Sequence, residues 1–496
     1  MDCNRFIIYF YYSSALQFAE LCDIIYVRKF PASAVCIIRI GCEHTLDISI
    51  PVNVKDVLDR LERGGFEAYI VGGCVRDAIL GVKPKDYDIT TNALPDEIIA
   101  CMDGLRVIET GLKHGTVTVV SEGENVEVTT YRVDGKYTDH RRPDSVKFAS
   151  SLEQDLARRD FTVNAMAYSD KTGIIDVFGG QQDLFSGRIR CVGEPAVRFE
   201  EDALRIMRAL RFASSLGFRI DPLTASAIHE KKQLLKEISA ERIMSELTGF
   251  VMGSAPCDLM IEFDDVFCTI IPEFAKCIGF DQRSRYHVYD VWEHTAHALE
   301  NSKCDKEVRL AIFFHDIEKP TSCRIDEEGH GHFPGHEKRS AETAERIMRR
   351  LKFDNETIKN TCELIKYHYI TPVDDKRVVK HLISAMGLGM FDKLAEVMKG
   401  DSRAKQSFCL ERVNTLDAMK YLAHEIVNNG ECCTLHGLAV RGSDLEDIGF
   451  EGKEIGVALD ELLVMVIDEK IPNDREVLIE TAREFGQRGK KRIFEL

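Results

Sequence analysis

The chain has 496 residues, which at roughly 150 residues per domain predicts about three or four domains and excludes a peptide module. With 44% hydrophobic and 30% charged residues it is neither a largely disordered nor a membrane-spanning chain. Sixty-five Lys and Arg against 82 Asp and Glu leave a net charge of -17, so any site for nucleic acid has to be local.

In chain order, Phe6 to Ala19 is an uncharged, aromatic-rich run, and Ala32-Ser33-Ala34 faintly imitates a signal-peptide cleavage site. A signal peptide is rejected, because the run is too short to span a bilayer and Glu20, Asp23, Arg28 and Lys29 separate it from the small residues. Residues 1–50 are read as an extension. Regular α/β patterning then begins: a helix over Val54 to Glu62, an apolar strand Ala68 to Val71, and Gly72-Gly73 opening an amphipathic helix through Leu80. Alternation predicts strands at Thr116 to Val120 and Val126 to Tyr131, with a long loop over Asp134 to Asp144. Beyond Arg188 the periodicity is helical, with helices at Glu201 to Leu216, Ala240 to Phe250, Trp292 to Asn301, Lys338 to Leu351 and Gly452 to Ile467. The fold class is therefore α+β, a mixed sheet with helices followed by an all-α body. Sixteen cysteines without a C-x-x-C pair read as reduced thiols of a cytoplasmic protein.

The segment Gly72-Gly73-Cys74-Val75-Arg76-Asp77, followed by Asp86-Tyr87-Asp88, carries chemistry. Glycines between strand and helix let a phosphate chain approach backbone NH groups, and Arg76 lies in the first helical turn to pair with it. On a strand over Asp86 to Ile89, a period of two puts both carboxylates on one face, where they can hold hard divalent cations such as Mg2+. Glu127, on the alternating strand, is the candidate third ligand. Two aspartates two apart also fit a solvated strand end, and it is the order Gly-Gly, Arg, D-x-D, acidic strand that points to nucleotidyl transfer.

With these motifs on the page, the chain resembles the class II tRNA nucleotidyltransferases, the CCA-adding enzymes, and their relatives the bacterial poly(A) polymerases. The resemblance continues through Lys113-His114-Gly115-Thr116, Asp139-His140-Arg141-Arg142-Pro143-Asp144, Arg158-Arg159-Asp160-Phe161-Thr162-Val163-Asn164-Ala165, Asp176-Val177-Phe178-Gly179-Gly180 and Glu201-Asp202-Ala203-Leu204-Arg205. It implies a DNA-polymerase-beta-like head with Asp86 and Asp88 as Mg2+ ligands, Gly72, Gly73 and Arg76 at the triphosphate, and Arg159 with Asp160 at the ribose. An Arg-Asp pair before a helix also fits a plain cap.

Asp202 and Arg205 are three apart on a predicted helix, a spacing that by itself suits a surface ion pair. The resemblance implies instead that they read the incoming base. A carboxylate accepts from the exocyclic amine of C or A, and a guanidinium donates to C N3 or A N1. U and G set acceptor against acceptor and donor against donor, each buried mismatch costing about 1 to 3 kcal/mol. Arg208 and Arg211 complete the implied nucleotide pocket, and Ser239 to Leu247 resembles a supporting helical motif.

A second constellation, His294, His315-Asp316, His336, His368 and Asp401, suits a divalent metal that activates water against phosphate esters, and it resembles an HD phosphohydrolase domain. Glu318 stands where that family commonly has Gly, and Tyr369 follows His368 where an acidic residue is frequent. Leu438 to Leu463 and Ile471-Pro472-Asn473 resemble the tail of HD-containing CCA-adding enzymes, in which Arg488, Lys490, Lys491 and Arg492 offer a basic surface to tRNA. The expected division is extension 1–50, head 51–185, helical neck 186–252, HD domain 253–405 and tail 406–496. The expected activity is addition of CCA to tRNA from CTP and ATP, with no membrane partner. Motifs leave A-adding or poly(A) activity open, and other readings are an HD-type hydrolase or a non-catalytic RNA binder.

Overall fold

The computed structural model describes residues 24–29, 35–40, 48–112, 115–134, 146–149 and 151–493, with side chains outside 24–40, 134, 146–147 and 486–493. The run Phe6 to Ala19, the Ala32 to Ala34 motif, Lys113-His114, the loop from Asp139 to Asp144 and the side chains of Arg488, Lys490, Lys491 and Arg492 lie outside these. The chain divides into two compact units between Pro272 and Glu273.

The first unit is built on a seven-stranded sheet in the order Gly173–Ile175, Ala167–Ser169, Ala68–Val71, Asp88–Thr91, Glu124–Thr130, Thr116–Ser121, Arg106–Ile108. All neighbours are antiparallel except Asp88–Thr91 with Glu124–Thr130. That parallel pairing sets Asp88 opposite Glu127. The strand Thr116–Ser121 alternates as its sequence does, burying Val117 and Val119. The helix Val52–Arg63 buries Val54, Val57, Leu58 and Leu61, one apolar stripe of period 3.6.

Three expectations shift. The strand opens at Asp88, so Asp86 lies outside it, two residues before its start. The helix expected over Glu201 to Leu216 is two helices, Pro195–Glu201 and Leu204–Leu216, and Asp202 sits between them with φ -138° and ψ 101°. Its carboxylate accepts from the Leu204 N–H at 3.1 Å; a short acidic side chain competes better as a cap than inside a helix. Asp202 and Arg205 therefore do not share a helix. The helix expected from Lys338 begins at His336 after Gly335, whose φ is 71°.

The second unit packs the helices Val291–Glu300, Lys306–Phe314, His336–Arg350, Asn355–Tyr367 and Lys376–Arg403. Asp290, Asp305, Asp354 and Asp375 accept from backbone N–H groups at four of their starts. Trp292, Phe274, Phe313 and Phe314 form an aromatic core, with Phe274 4.9 Å from both Trp292 and Phe313. The segment Lys376–Arg403 breaks at Gly387, where φ is 77°. Toward the C-terminus, Leu438, Val440, Leu445, Leu462, Leu463 and Leu478 make a separate small core. Among the described residues, no helix is long and apolar enough to cross a membrane.

Candidate active site

Gly72 adopts φ 78° and ψ -129°, a conformation closed to side-chain-bearing residues, and turns the strand Ala68–Val71 into the helix Gly73–Ile79. A Cβ on Gly72 would also meet Arg159 Nη1 at 2.9 Å, so the guanidinium would have to shift. The turn lies beside Asp88, next to Val71 in register across the antiparallel pair. Partial desolvation and the charge of Asp86 push the Asp88 carboxyl up, while Arg159 pulls it down. Glu127 is likewise pushed up, by partial desolvation and by the charges of Asp88 and Asp86. Asp86, Asp88 and Glu127 thus feel one another's charge, with Arg159 facing Asp88. Such repulsion is what an incoming cation relieves, and the all-oxygen donor set suits Mg2+.

The arginines are held in a chain of ion pairs. Arg76 donates to Asp77 Oδ1 at 2.8 Å and to Asn164 Oδ1 at 2.6 Å. Asn164 Nδ2 reaches Asp160 Oδ1 at 3.4 Å. Asp160 accepts from Arg208 Nε at 2.9 Å and Nη2 at 2.5 Å, and from the Phe161 N–H at 2.8 Å. Burial would raise its pKa, but Arg208 overrides that and holds it at about 2. Arg211 donates to Glu246 at 2.5 Å, and Arg208 Nη1 lies 3.6 Å from the other oxygen of Glu246. The Phe212 ring collects three of these guanidinium groups, Arg211 at 4.0 Å and Arg76 and Arg208 each at 5.3 Å.

Adjacency hid a division of labour between Arg159 and Asp160. Arg159 turns to Gly72 and the buried Asp155, 3.5 Å away, while Asp160 turns to Arg208. Asp202 and Arg205 each have a partner of their own. Asp202 Oδ2 accepts from Arg242 Nη2 at 2.8 Å. Arg205 donates to Glu201 at 2.7 Å and to the carbonyls of Arg198 and Arg158 at 3.3 and 3.1 Å. Asn164, Phe212, Arg242 and Glu246 were missed as site residues. For the last two a signal existed, their i, i+4 spacing on the helix Ala240–Val251.

In the second unit, His294, His315, Asp316, His336, His368 and Asp401 converge and are all buried. Nδ1 of His315, His336 and His368 faces the carbonyl three residues earlier, at 2.6, 2.8 and 2.6 Å, and Nδ1 of His294 faces the Ala404 carbonyl at 3.4 Å. A carbonyl only accepts, so Nδ1 carries a proton and each ring turns its Nε2 inward, the atom that would bind a metal. Those Nε2 atoms meet the two carboxylates. His294 lies 3.0 Å from Asp401 Oδ1 and His315 3.0 Å from Asp316 Oδ2, while His336 and His368 lie 3.4 and 3.7 Å from Asp316 Oδ1. Ligands about 2.1 Å from one ion sit about 3.0 to 4.2 Å apart, and these spacings fall in that range. His315 Nε2, His336 Nε2 and Asp316 Oδ1 have no hydrogen-bond partner. Two groups can each hold an ion, His294, His315 and Asp401, and His315, Asp316 and His368. Burial pushes His315 down, but Asp316 more than offsets it and lifts the ring to about 9 in the metal-free state, when a proton occupies the place a metal would take.

Two buried lysines complete the charge balance, Lys319 2.6 Å from Asp316 and Lys405 2.5 Å from Asp401. Glu318 takes an ordinary φ of -104°, so glycine is not required there, and its carboxylate is anchored on Thr343 and Lys276. Tyr369 is exposed, its ring 4.7 Å from His336.

Residues 68–190 match the Poly A polymerase head domain, residues 217–276 the probable RNA and SrmB-binding site of polymerase A, and residues 336–482 the putative tRNA nucleotidyltransferase domain 2. A CCA-adding enzyme of Pediococcus pentosaceus is 32% identical over 429 residues, covering 86% of this chain and 96% of that protein. The chain belongs to the CCA-adding enzyme family. Another member, from Geobacillus thermodenitrificans, is 52% identical over 197 residues, 40% of this chain and 48% of its own. The crystal structure of the Bacillus stearothermophilus CCA-adding enzyme in complex with CTP superposes with a TM-score of 0.69 at 27% identity, over 89% of this chain and 100% of that one. The α+β nucleotidyltransferase fold follows from the head-domain match and this superposition.

Proposed function

We propose that the chain adds C, C and A to the 3′ end of tRNA from CTP and ATP, with pyrophosphate as the leaving group. The observation that carries the reading is the register pairing of Asp88 with Glu127 beside the Gly72 turn, in a member of the CCA-adding family. Asp86 and Asp88, with Glu127, would hold Mg2+, which when bound acidifies the attacking hydroxyl and steadies the leaving pyrophosphate. Gly72 and Gly73 admit the triphosphate and Arg76 faces it, Arg159 and Asp160 stand at the ribose, and Arg208 and Arg211 wall the pocket. Asp202 accepts from the amine of C or A, and Arg205 donates to the neighbouring ring nitrogen. Both Nη atoms of Arg205 make contacts that hold the guanidinium in place in the free protein. The finer division into head 51–185, neck 186–252, HD domain 253–405 and tail 406–496, with the tail on tRNA, belongs to the same proposal, as does a cytoplasmic setting. Supplying CTP and ATP singly and together to tRNA ending at the discriminator base tests it. CTP alone should stop after two residues and both together after three. No use of CTP refutes the reading, and repeated A addition selects the poly(A) alternative.

The convergence of four inward-facing Nε2 atoms on Asp316 and Asp401 supports a second site, a divalent-metal centre for phosphoester hydrolysis. Its test is metal-dependent hydrolysis of a simple phosphodiester, retained in Asp86→Ala/Asp88→Ala and abolished in His315→Ala.

A further inference from the structure

We infer that Arg242 is a specificity-positioning residue, which aims the Asp202 carboxylate at the incoming base. This rests on Asp202 reading that base. Asp202 lies in the break between two helices, where the backbone does not fix its side chain as a helix interior would. Two donors fix it, the Leu204 N–H on Oδ1 at 3.1 Å and Arg242 Nη2 on Oδ2 at 2.8 Å. With one donor on each oxygen the carboxylate plane is set, and the remaining lone pairs point in fixed directions. Remove the guanidinium, and rotation about one hydrogen bond lets the carboxylate swing away from the carbonyl of U or G. The penalty that rejects those bases then falls, because a mismatch costs its full price only where neither partner can move.

Arg242 comes from a different helix, Ala240–Val251, that also holds the nucleotide-selecting helix further along. Glu246, one turn on, binds Arg211 and faces Arg208. At Gly249 a Cβ would come within 2.4 Å of Arg211 Cδ, so the missing side chain admits the arginine stem. Arg242 Nη1 is buried with no hydrogen-bond partner among the described residues.

The test measures kcat/KM for CTP and UTP on tRNA ending at the discriminator base, in wild type, Arg242→Ala, Arg242→Lys, Asp202→Ala and Arg242→Ala/Asp202→Ala, with melting curves for each. Arg242→Ala should lower the CTP to UTP ratio about tenfold, the double variant should be no worse than Asp202→Ala, and Arg242→Lys should recover part of the ratio. An unchanged ratio in Arg242→Ala, with Asp202→Ala lowering it, overturns the inference and leaves base reading by Asp202 standing. An unchanged ratio in Asp202→Ala removes that reading, and the inference with it. If Arg242→Ala fails to fold, Arg242→Lys decides. Its ratio should lie below wild type at a wild-type melting temperature, and an unaltered ratio refutes the proposal.

Discussion

Gly72→Ala and Gly73→Ala are neighbouring substitutions of the same chemistry, and the structure gives them opposite outcomes. At Gly72 the backbone stands at φ 78° and ψ -129°, where a side-chain-bearing residue costs about 1 to 3 kcal/mol. The added Cβ would also lie 2.9 Å from Arg159 Nη1 and 3.6 Å from the Asn164 carbonyl. The guanidinium has to move away from the turn, and with it goes the charge that opposes repulsion at Asp88. Gly73 lies in the helix, and its Cβ would meet only Arg76 Nη2, at an ordinary 3.6 Å. Gly72→Ala should therefore lose about 1 to 3 kcal/mol in denaturant unfolding and at least tenfold in kcat/KM for nucleotide addition. Gly73→Ala should keep its stability to within about 0.5 kcal/mol and express any loss as a raised KM for nucleotide. Equal stability losses in the two variants, or full activity in Gly72→Ala, would refute the reasoning.

Asp160 sits at about 2 against an ordinary 3.8, so its pairing stabilises the fold above about pH 4 and is lost as pH falls through 2. At about 1.36 kcal/mol per pH unit this is about 2 kcal/mol, and the stability gap between wild type and Asp160→Asn should narrow by that amount between pH 5 and 2 in urea titrations. Asp86→Ala/Asp88→Ala should abolish nucleotide incorporation while leaving thermal unfolding near wild type, because neither carboxylate is buried; retained incorporation counts against the metal assignment. Stripping metal with a chelator and restoring Mn2+ at a hundredfold over its Kd should stabilise the second unit by about 2.7 kcal/mol in calorimetry, an effect absent from His315→Ala, which removes the ligand common to both groups; no wild-type response would rule the centre out.

What the sequence disclosed well is what local pattern controls. The strand Ala68–Val71 and the alternation at Thr116–Ser121 follow from periodicity, and both acidic clusters follow from residue type and order. The break at Asp202 was missed because hydrophobic periodicity runs through it, while the side chain that stops the helix acts by hydrogen bonding to the backbone. Partners distant in sequence were invisible for another reason. Arg242 is 40 residues from Asp202 and Arg208 is 48 from Asp160, and nothing in either local window records the pairing. Nor does a motif tell a ligand from its orienting group. The Nδ1 contacts that point four imidazoles inward are made to backbone carbonyls, which every residue has.

On the proposed reading, these pairs also bear on how an acidic protein selects a nucleotide. Arg205 faces Glu201, Arg208 faces Asp160, Arg211 faces Glu246 and Arg242 faces Asp202, so each of these four arginines has a carboxylate partner, with Glu201 shared by Arg198. A pocket neutralised in this way offers little net attraction to a triphosphate, and that task falls to Arg76, the Gly72 turn and the acidic cluster once it holds a cation. In return, the paired side chains are fixed before the base arrives. On the proposed reading, discrimination between C and U turns on the placing of one carboxylate and one guanidinium, which a free, water-exposed arginine would not sustain. Affinity and choice are thus assigned to different residues of one site.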